Sequence, residues 1–279
     1  MDNLQAAKRE VTEAGYEILS AAQKEARKNF ARQEAYNTAK VLGREKRYIL
    51  MKKDHYNTVK LQLTLSQHGI LMYLLTCMEI NKEGKLFKNK TDRLSMSDVS
   101  ELTEKSVAQI RKVITELENL GIVTRETEGR NSYLSISEGF FVCGSTGNRK
   151  YNTVKIYKQR LKEVVKEVSL NALGFFALML GNFHWKTNLL VENPEEQDTE
   201  KLILWKRKDL EEAYGISRPT VKKCITELAK ARMTFVVITI DEAICLDPKI
   251  TNRQKKEVTV EELLDNIQKA SLSSDNFKK

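Results

Sequence analysis

Two short peptides occur twice in this chain, in the same order. YNTVK stands at residues 56–60 and again at 151–155, each time just ahead of an apolar segment with helical spacing. ITEL stands at 114–117 and 225–228, each time after two basic residues and one other residue. A single five-residue match is compatible with chance, but two matches in one order predict a duplicated unit.

The spacing of these peptides predicts an insertion in the second unit. The interval from YNTVK to ITEL runs from Tyr56 to Ile114 in the first unit and from Tyr151 to Ile225 in the second. The second interval is therefore longer by sixteen residues. We expect the extra residues within 184–205, where two β-prone runs, 188–191 and 202–205, flank an acidic loop that contains a proline. Such a loop between two β-prone runs is typical of a hairpin tip.

Apolar residues at helical spacing predict three helices in the first unit, each with a capping or stop signal. The helices and their signals are 65–79 with Ser66, a short helix through Leu102 with Ser95 or Ser97, and 105–119 ended by Gly121. Two alternating runs follow, 122–127 and 132–136, and they surround Gly129, Arg130 and Asn131. A glycine-containing turn between alternating runs predicts a β-hairpin directly after the last helix.

The second unit repeats this plan. Its predicted elements are a helix over 169–182, a short helix over 208–213, a turn at Gly215, a helix over 218–232 and a hairpin over 235–247. Ser217 is placed to cap the third of these helices, and Pro219 lies in its first turn, where proline is tolerated.

The segments on either side of the two units carry weaker signals. Residues 3–53 are highly charged, and Leu4, Val11 and Ile18 are spaced seven apart in a short heptad pattern. This segment is either a partner-binding helix or a solvated basic arm. The tail from residue 254 contains one short amphipathic helix, 258–270, followed by a polar end.

Together these signals predict a mainly α fold with small β-hairpins, in the α+β class. Two tandem winged helix-turn-helix domains would follow a long charged N-terminal helix. The predicted boundaries are a charged helical arm at 1–54, a first winged domain at 55–147, a second winged domain with the hairpin insertion at 148–250, and a tail at 251–279.

Charge and composition narrow the kinds of partner. Lys and Arg outnumber Asp and Glu by 47 to 38, for a formal charge of +9, which favours an anionic partner such as nucleic acid. The four cysteines form no C-x-x-C pair, so we expect reduced thiols rather than a zinc knuckle or a disulfide framework. The longest apolar stretch, 170–183, is too short for a membrane span, and the N-terminus lacks a secretory signal. We therefore expect a soluble cytoplasmic protein without membrane contact.

The second helix of a helix-turn-helix enters the major groove, so its outward side chains need to be hydrogen-bond donors. In the second unit, a buried stripe of Val221, Ile225 and Leu228 would leave such donors facing outward. The predicted DNA-binding residues of this unit are Ser217, Arg218, Thr220, Lys222 and Lys223.

The first unit offers a similar face and a basic hairpin tip. Its predicted DNA-binding residues on the second helix are Lys105, Ser106, Gln109, Arg111 and Lys112. Arg125 on the hairpin strand, with Arg130 and Asn131 at the turn, is placed to reach the adjacent minor groove, whose negative potential favours arginine. The second hairpin carries Asp241 and Glu242, which phosphate would repel, so we expect it to fold against protein instead.

Catalytic and metal-binding patterns are missing from the sequence. The three histidines are isolated from one another, and neither a phosphate-binding loop nor a Ser/His/Asp arrangement is present. Trp185 and Trp205 flank the insertion and are expected to pack the hairpin rather than to stack bases, as single-strand binding would require. We expect a non-catalytic protein with no metal and no cofactor.

GISRPTVKKCITEL, at residues 215–228, resembles the recognition region of winged-helix repressors of the GntR and MarR kinds. Residues 168–249 also resemble the small RepL-type replication proteins of Gram-positive plasmids, through FFALMLGNFHW, KRKDLEEAYGISRPTVKKCITELAK and AICLDPK. The tandem arrangement is similar to plasmid initiators of the RepA and RepE kind, in which one unit serves dimerisation and the other reads origin repeats. That similarity concerns the arrangement only and includes no residue-level match.

These resemblances imply a sequence-specific double-stranded-DNA-binding protein, namely a plasmid or phage replication initiator that also represses its own promoter. The first alternative is a transcriptional regulator without a replication role, since both need only specific duplex binding. The second is a DNA-partition or oligomerising adaptor, in which one winged unit binds protein. A homodimer through the N-terminal helix or the first winged unit is the expected protein partner.

Overall fold

The computed structural model describes residues 25, 29–30, 47–129, 131–144, 152–238, 242–254 and 260–271. The chain divides into two compact regions, 1–45 and 46–279, and nearly all described residues belong to the second. The helices and strands of that region are β1 (Tyr48–Lys52), α1 (Lys53–Val59), a 3-10 turn (Lys60–Gln62), α2 (Leu65–Thr76), α3 (Met96–Thr103), α4 (Val107–Asn119), β2 (Val123–Glu128), β3 (Asn131–Ile136), β4 (Phe141–Val142), β5 (Thr153–Tyr157), α5 (Lys158–Val164), α6 (Leu170–Met179), a 3-10 turn (Thr199–Lys201), α7 (Arg207–Tyr214), α8 (Arg218–Lys230), β6 (Thr234–Ile238), β7 (Glu242–Leu246), β8 (Thr251–Asn252) and α9 (Val260–Ser271).

A four-stranded antiparallel sheet joins a first half of this region, residues 47–144, to a second half, residues 152–254. The strand order is β4-β1-β5-β8, so β1 and β5 pair at the centre and each carries a two-residue strand on its outer side. The hairpins β2–β3 and β6–β7 form separate two-stranded sheets. The mixture of helices and small antiparallel sheets confirms the predicted α+β class.

The two halves contain the same elements in the same order, as expected for a duplication. β1, α1 and α2 begin at residues 48, 53 and 65, and β5, α5 and α6 begin at 153, 158 and 170, which is a constant offset of 105. α3, α4 and β2 begin at 96, 107 and 123, and α7, α8 and β6 begin at 207, 218 and 234, which is a constant offset of 111. Because the offset increases between these two sets, the second half carries six extra residues between α6 and α7.

An approximate two-fold axis exchanges the halves, and the central strand pair shows it. Leu50 of β1 pairs with Lys155 of β5, and these two residues are each other's counterparts at the offset of 105. Exchanging the two halves also converts the remaining pairs into one another. The pair Tyr48–Tyr157 becomes the pair Thr153–Lys52, and the pair Ile49–Ile156 becomes the pair Val154–Met51. A register that maps onto itself in this way is the signature of a two-fold axis through the centre of the strand pair.

Hydrogen bonds between the halves repeat in the same exchanged form. The backbone N–H of Lys53 donates to the carbonyl of Asn152 at 2.9 Å, and that of Lys158 donates to the carbonyl of Arg47 at 2.9 Å. Lys158 and Asn152 are the counterparts of Lys53 and Arg47 at the offset of 105. The two halves are therefore joined by two equivalent backbone hydrogen bonds, one donated by each half.

Helices α2 and α6 cross at two glycines that are also exchanged by the axis. A β-carbon on Gly69 would lie far inside van der Waals distance of the backbone oxygen of Leu170, and one on Gly174 would overlap the backbone oxygen of Leu65 in the same way. Glycine is required at both positions because only a residue without a β-carbon lets the two backbones approach so closely. The buried apolar residues of both halves form one continuous cluster around this crossing.

The YNTVK repeat does not mark equivalent positions, which corrects the sequence analysis. Residues 56–60 lie in α1 and the following turn, whereas residues 153–155 lie in strand β5. The same short peptide adopts both structures because tertiary contacts override the weak local preference of a few residues. The predicted length of the insertion is therefore wrong, since the second half carries six extra residues instead of sixteen. The ITEL repeat does hold equivalent positions, in α4 and α8.

The start of the first half also differs from the prediction. The sequence predicts that residues 48–52 belong to the charged helical arm, but they form strand β1, because alternate residues Ile49 and Met51 are buried in the core. Helix α2 is capped by Thr64 rather than Ser66: Thr64 Oγ1 accepts from the N–H of Gln67 at 3.4 Å, and Gln67 Oε1 accepts from the N–H of Thr64 at 2.6 Å. The heptad residues Leu4, Val11 and Ile18 lie outside the described residues. None of the helices in the described ranges is both long and apolar enough to cross a membrane.

A buried polar pair distinguishes the first half from the second. Tyr56 Oη and His68 Nδ1 lie 2.6 Å apart, and His68 Nε2 lies 2.7 Å from the carbonyl oxygen of Lys60. Their counterparts at the offset of 105 are two buried leucines, Leu161 and Leu173. Burial, with the nearby charge of Lys60, lowers the pKa of His68 to about 4 although the hydrogen bond to the Lys60 carbonyl opposes this shift, so the imidazole is neutral in the folded protein at neutral pH.

We expect the free energy of unfolding to fall as the pH is lowered from about 6.5 towards 4. In this window the unfolded chain binds a proton at His68 that the folded protein does not bind, so protonation favours unfolding. The expected loss is on the order of 3 kcal/mol by pH 4. Urea denaturation across this pH range measures it, with Tyr56→Phe combined with His68→Leu as the comparison. An equally steep loss in that double variant would rule out His68 as the cause.

Candidate nucleic-acid interface

Helices α7 and α8 are joined by a short turn whose geometry is fixed by local hydrogen bonds. The N–H of Lys206 donates to Asp209 Oδ2 at 2.7 Å and starts α7. Gly215 ends α7 with a φ of +63°, a conformation that favours glycine. The N–H of Ile216 then donates back to the carbonyl of Glu211 at 3.1 Å. These contacts set the direction in which α8 leaves the turn.

Helix α8 is held on α6 and buries one face. Glu227 accepts from the N–H of Ser169 at 3.1 Å and from its Oγ at 2.6 Å, and Ser169 is the residue that caps α6. The buried residues of α8 are Val221, Cys224, Ile225 and Leu228. This stripe matches the predicted one, so the opposite face of α8 points away from the core.

The predicted DNA-binding residues of the second half lie on that outward face. Ser217, Arg218, Lys222 and Lys223 are exposed, and Thr220 is half-buried. Ser217 stands at the N-cap position, but its Oγ lies 2.9 Å from Thr220 Oγ1 and makes no side-chain capping bond to the backbone, which corrects its predicted capping role. Within the described ranges, Arg218, Lys222 and Lys223 form no ion pair, so their charges face solvent.

A cleft beside α8 gathers positive charge. It has a volume of about 410 Å³ and is lined by five basic residues, Lys206, Arg207, Lys208, Arg218 and Lys222, and by two acidic ones, Glu211 and Glu242. Arg207 Nε pairs with Glu242 Oε1 at 2.8 Å, which ties the start of α7 to strand β7. The excess of cations makes this basic cleft suited to a phosphate group. Sequence reasoning missed Lys206, Arg207 and Lys208, although three consecutive basic residues at the start of a helix are a readable signal.

The first half builds the same turn with different residues. Glu104 ends α3 with a φ of +54° and is the counterpart of Gly215 at the offset of 111. Ser106 Oγ accepts from the N–H of Gln109 at 3.3 Å, and Gln109 Oε1 accepts from the N–H of Ser106 at 3.1 Å. This reciprocal cap fixes both side chains at the start of α4. All five predicted residues of this helix are exposed: Lys105, Ser106, Gln109, Arg111 and Lys112.

The structure places the two predicted sets of residues at equivalent positions, as the ITEL repeat indicates. At the offset of 111, four residues of α4 or its cap correspond to four of α8 or its cap. The pairs are Ser106 with Ser217, Gln109 with Thr220, Arg111 with Lys222, and Lys112 with Lys223. Both helices therefore carry two adjacent cations and, nearer to the N-terminal end, two polar side chains.

In the hairpin of the first half, Arg125 makes a contact that the sequence did not predict, and its contact with DNA stays a prediction. Its guanidinium pairs with Glu118 Oε2 of α4 at 2.5 Å and is three-quarters buried, so it fastens the strand to the helix instead of reaching outward. Asn131 is exposed at the predicted turn. Arg130 lies outside the described residues, and its predicted contact with DNA stays a prediction.

The hairpin of the second half packs against protein, as predicted from its acidic residues. Ala243 and Cys245 of β7 are buried in a small cluster with residues of the insertion, Leu189, Val191, Leu202 and Leu204, and with Ala270 of α9. Within the insertion, Val191 pairs with Leu204 in an isolated antiparallel bridge. Glu242 is held by Arg207, and Asp241 lies outside the described residues.

One acidic residue of the insertion loop, Glu195, is paired with two buried cations. Glu195 pairs with Lys53 at the start of α1 and with Arg253 after β8, at 2.6 Å from Arg253. Although burial opposes it, hydrogen bonds from Lys53 and Arg253 lower the pKa of Glu195 to about 2. The negative charge of Glu195 is therefore compensated within the protein.

Metal-binding clusters of three or more His, Cys, Asp or Glu residues do not occur among the described residues. Among the described residues, the main candidate surface is the outward face of α8 with the basic cleft, and the second is the equivalent face of α4. Comparisons with protein-family models, with curated proteins and with solved structures found no match to this chain.

Proposed function

We propose that this chain is a sequence-specific double-stranded-DNA-binding protein with two winged helix-turn-helix units, one in each half. The observation that carries the proposal is the outward face of α8, where Arg218, Lys222 and Lys223 are exposed beside the basic cleft. Each half also has the order of elements that such a unit needs, namely helix, turn, helix and hairpin.

The shape of this face fits the major groove. The groove of B-form DNA is about 12 Å wide and admits one α-helix with its side chains. Helix α8 has 13 residues and, at about 1.5 Å per residue, is about 20 Å long, enough to follow the groove over several base pairs. Arg218 and Lys222 lie one turn apart on the same face, where they can reach base edges or the flanking phosphates.

Two biological roles fit this binding activity. The resemblance of residues 168–249 to small plasmid replication proteins favours a plasmid or phage replication initiator that also represses its own promoter. A transcriptional regulator would use the same contacts. The roles differ in where the DNA sites lie, so they are separated by mapping the sites.

Selection of bound sequences from a random duplex library, with the full chain, tests the proposal. Winners that map to repeats at a replication origin would identify an initiator, and winners confined to promoters would identify a regulator. Enrichment of no sequence, together with no binding of random duplex at low salt, would overturn the proposal. It would favour the alternative of a protein-binding adaptor.

Binding is also expected to weaken steeply with salt. If Lys206, Arg218, Lys222 and Lys223 neutralise about four phosphates, the slope of log affinity against log salt is about −3.6. Fluorescence anisotropy of a labelled duplex at several salt concentrations measures the slope. A slope close to zero would mean that phosphates are not contacted, whatever the sequence preference.

A further inference from the structure

We propose that a single chain recognises an inverted repeat, because its internal two-fold axis exchanges the two halves and α4 and α8 hold equivalent places in the order of elements of those halves. This inference rests on the proposed function and specifies its target. In a homodimeric DNA-binding protein two identical chains supply the two-fold axis. Here both members of the pair lie in one polypeptide, so one chain suffices for two half-sites.

The two helices are fixed relative to each other. The buried residues of α4, Ile110, Ile114 and Leu117, belong to the same continuous core as the buried residues of α8. The halves are further joined by the β1–β5 pair and by the crossing of α2 and α6 at Gly69 and Gly174. The two helices are thus held by one core and one sheet, and not by a flexible linker.

The symmetry of the protein determines the symmetry of its preferred DNA. Duplex DNA has its own two-fold axes perpendicular to the helix axis, and DNA sites mirror the two-fold symmetry of the protein that reads them. Helices related by a two-fold axis meet the two half-sites in opposite directions, which gives an inverted repeat. Units related by a translation would instead require a direct repeat. The exchanged register of β1 and β5 shows that the two halves are related by a two-fold axis and not by a translation.

The half-sites are expected to be related but not identical. Arg111 corresponds to Lys222, and arginine makes a bidentate contact with guanine that lysine cannot match in geometry. Gln109 corresponds to Thr220, and Val107 corresponds to Arg218. The target is therefore an imperfect palindrome, with one half-site read by α4 and the other by α8.

Two substitutions test this assignment separately. Gln109→Glu keeps the reciprocal cap with Ser106 but replaces an amide donor by a carboxylate, and Thr220→Gln places the residue type of α4 into α8. Each variant is expected to change the relative affinity for the preferred base by roughly ten-fold or more in one half-site only. The affected half-site is expected to differ between the two variants. Repeating the library selection with both variants measures the change, and matched thermal unfolding curves confirm that both are folded.

Stoichiometry provides the second test. Native mass spectrometry of the complex with the selected duplex is expected to show one chain per duplex, and the two half-sites should lie about one helical turn, or a multiple of it, apart. A direct repeat, a single undivided site, two chains per site or two duplexes per chain would each overturn the inference while leaving DNA binding intact. If the unmodified chain bound no duplex at all, the proposed function itself would be overturned.

Discussion

Replacing Gly69 by alanine is expected to lower the free energy of unfolding by about 3 kcal/mol, because the new methyl group would collide with backbone rather than with a movable side chain. The atom that it meets is the carbonyl oxygen of Leu170 at the start of α6, inside the core that the two halves share. The helices can accommodate the methyl group only by separating, which opens space between buried residues on both sides of the crossing. Gly174→Ala is expected to have a similar effect through Leu65.

The control for these variants is Gly139→Ala. A β-carbon at Gly139 would meet only the flexible side chain of Ser137, at 3.1 Å, and the position has no positive φ. Urea denaturation of the three variants measures the difference. We expect Gly139→Ala to stay within about 0.5 kcal/mol of the unmodified chain. If Gly69→Ala and Gly174→Ala did the same, the close crossing of α2 and α6 would be disproved.

The double substitution Arg218→Ala with Lys222→Ala is expected to weaken binding to the selected duplex by roughly 100-fold or more, since one good base contact contributes about 1 to 3 kcal/mol. Both side chains are exposed, line the basic cleft and lie on the helix that we propose enters the groove. Alanine favours helix, so the loss is expected without unfolding of α8.

Lys230→Ala is the matched control because Lys230 is exposed at the C-terminal end of the same helix. It removes the same kind of charge and is expected to change the affinity by less than about three-fold. Anisotropy titrations with selected and random duplexes separate two roles. A loss on the selected duplex alone would place Arg218 and Lys222 on base edges, and an equal loss on both would place them on phosphates. An unchanged affinity on both duplexes would show that α8 does not bind DNA.

Much of the candidate site was readable in the sequence because helices and caps are local. The buried stripe Val221, Ile225 and Leu228 predicted the outward face of α8 directly, since residues three and four apart share one side of a helix. The ends of α3 and α7, the cap at Ser95 and the positive φ at Gly121 depend on a few neighbouring residues and were predicted for the same reason. The ion pair of Arg125 with Glu118 was not predicted, because it depends on how the strand lies against α4.

The sequence by itself determined that this chain contains two similar units, and which side chains each of them turns away from its core. It determined the offset of 111 through the ITEL repeat but not the offset of 105 for the earlier elements, because the five-residue YNTVK match was more visible than the few identical residues that mark that offset. Only the tertiary structure decided the two-fold relation. That relation resides in strand register and in backbone contacts at Gly69 and Gly174, which join residues far apart in the chain and leave no local pattern.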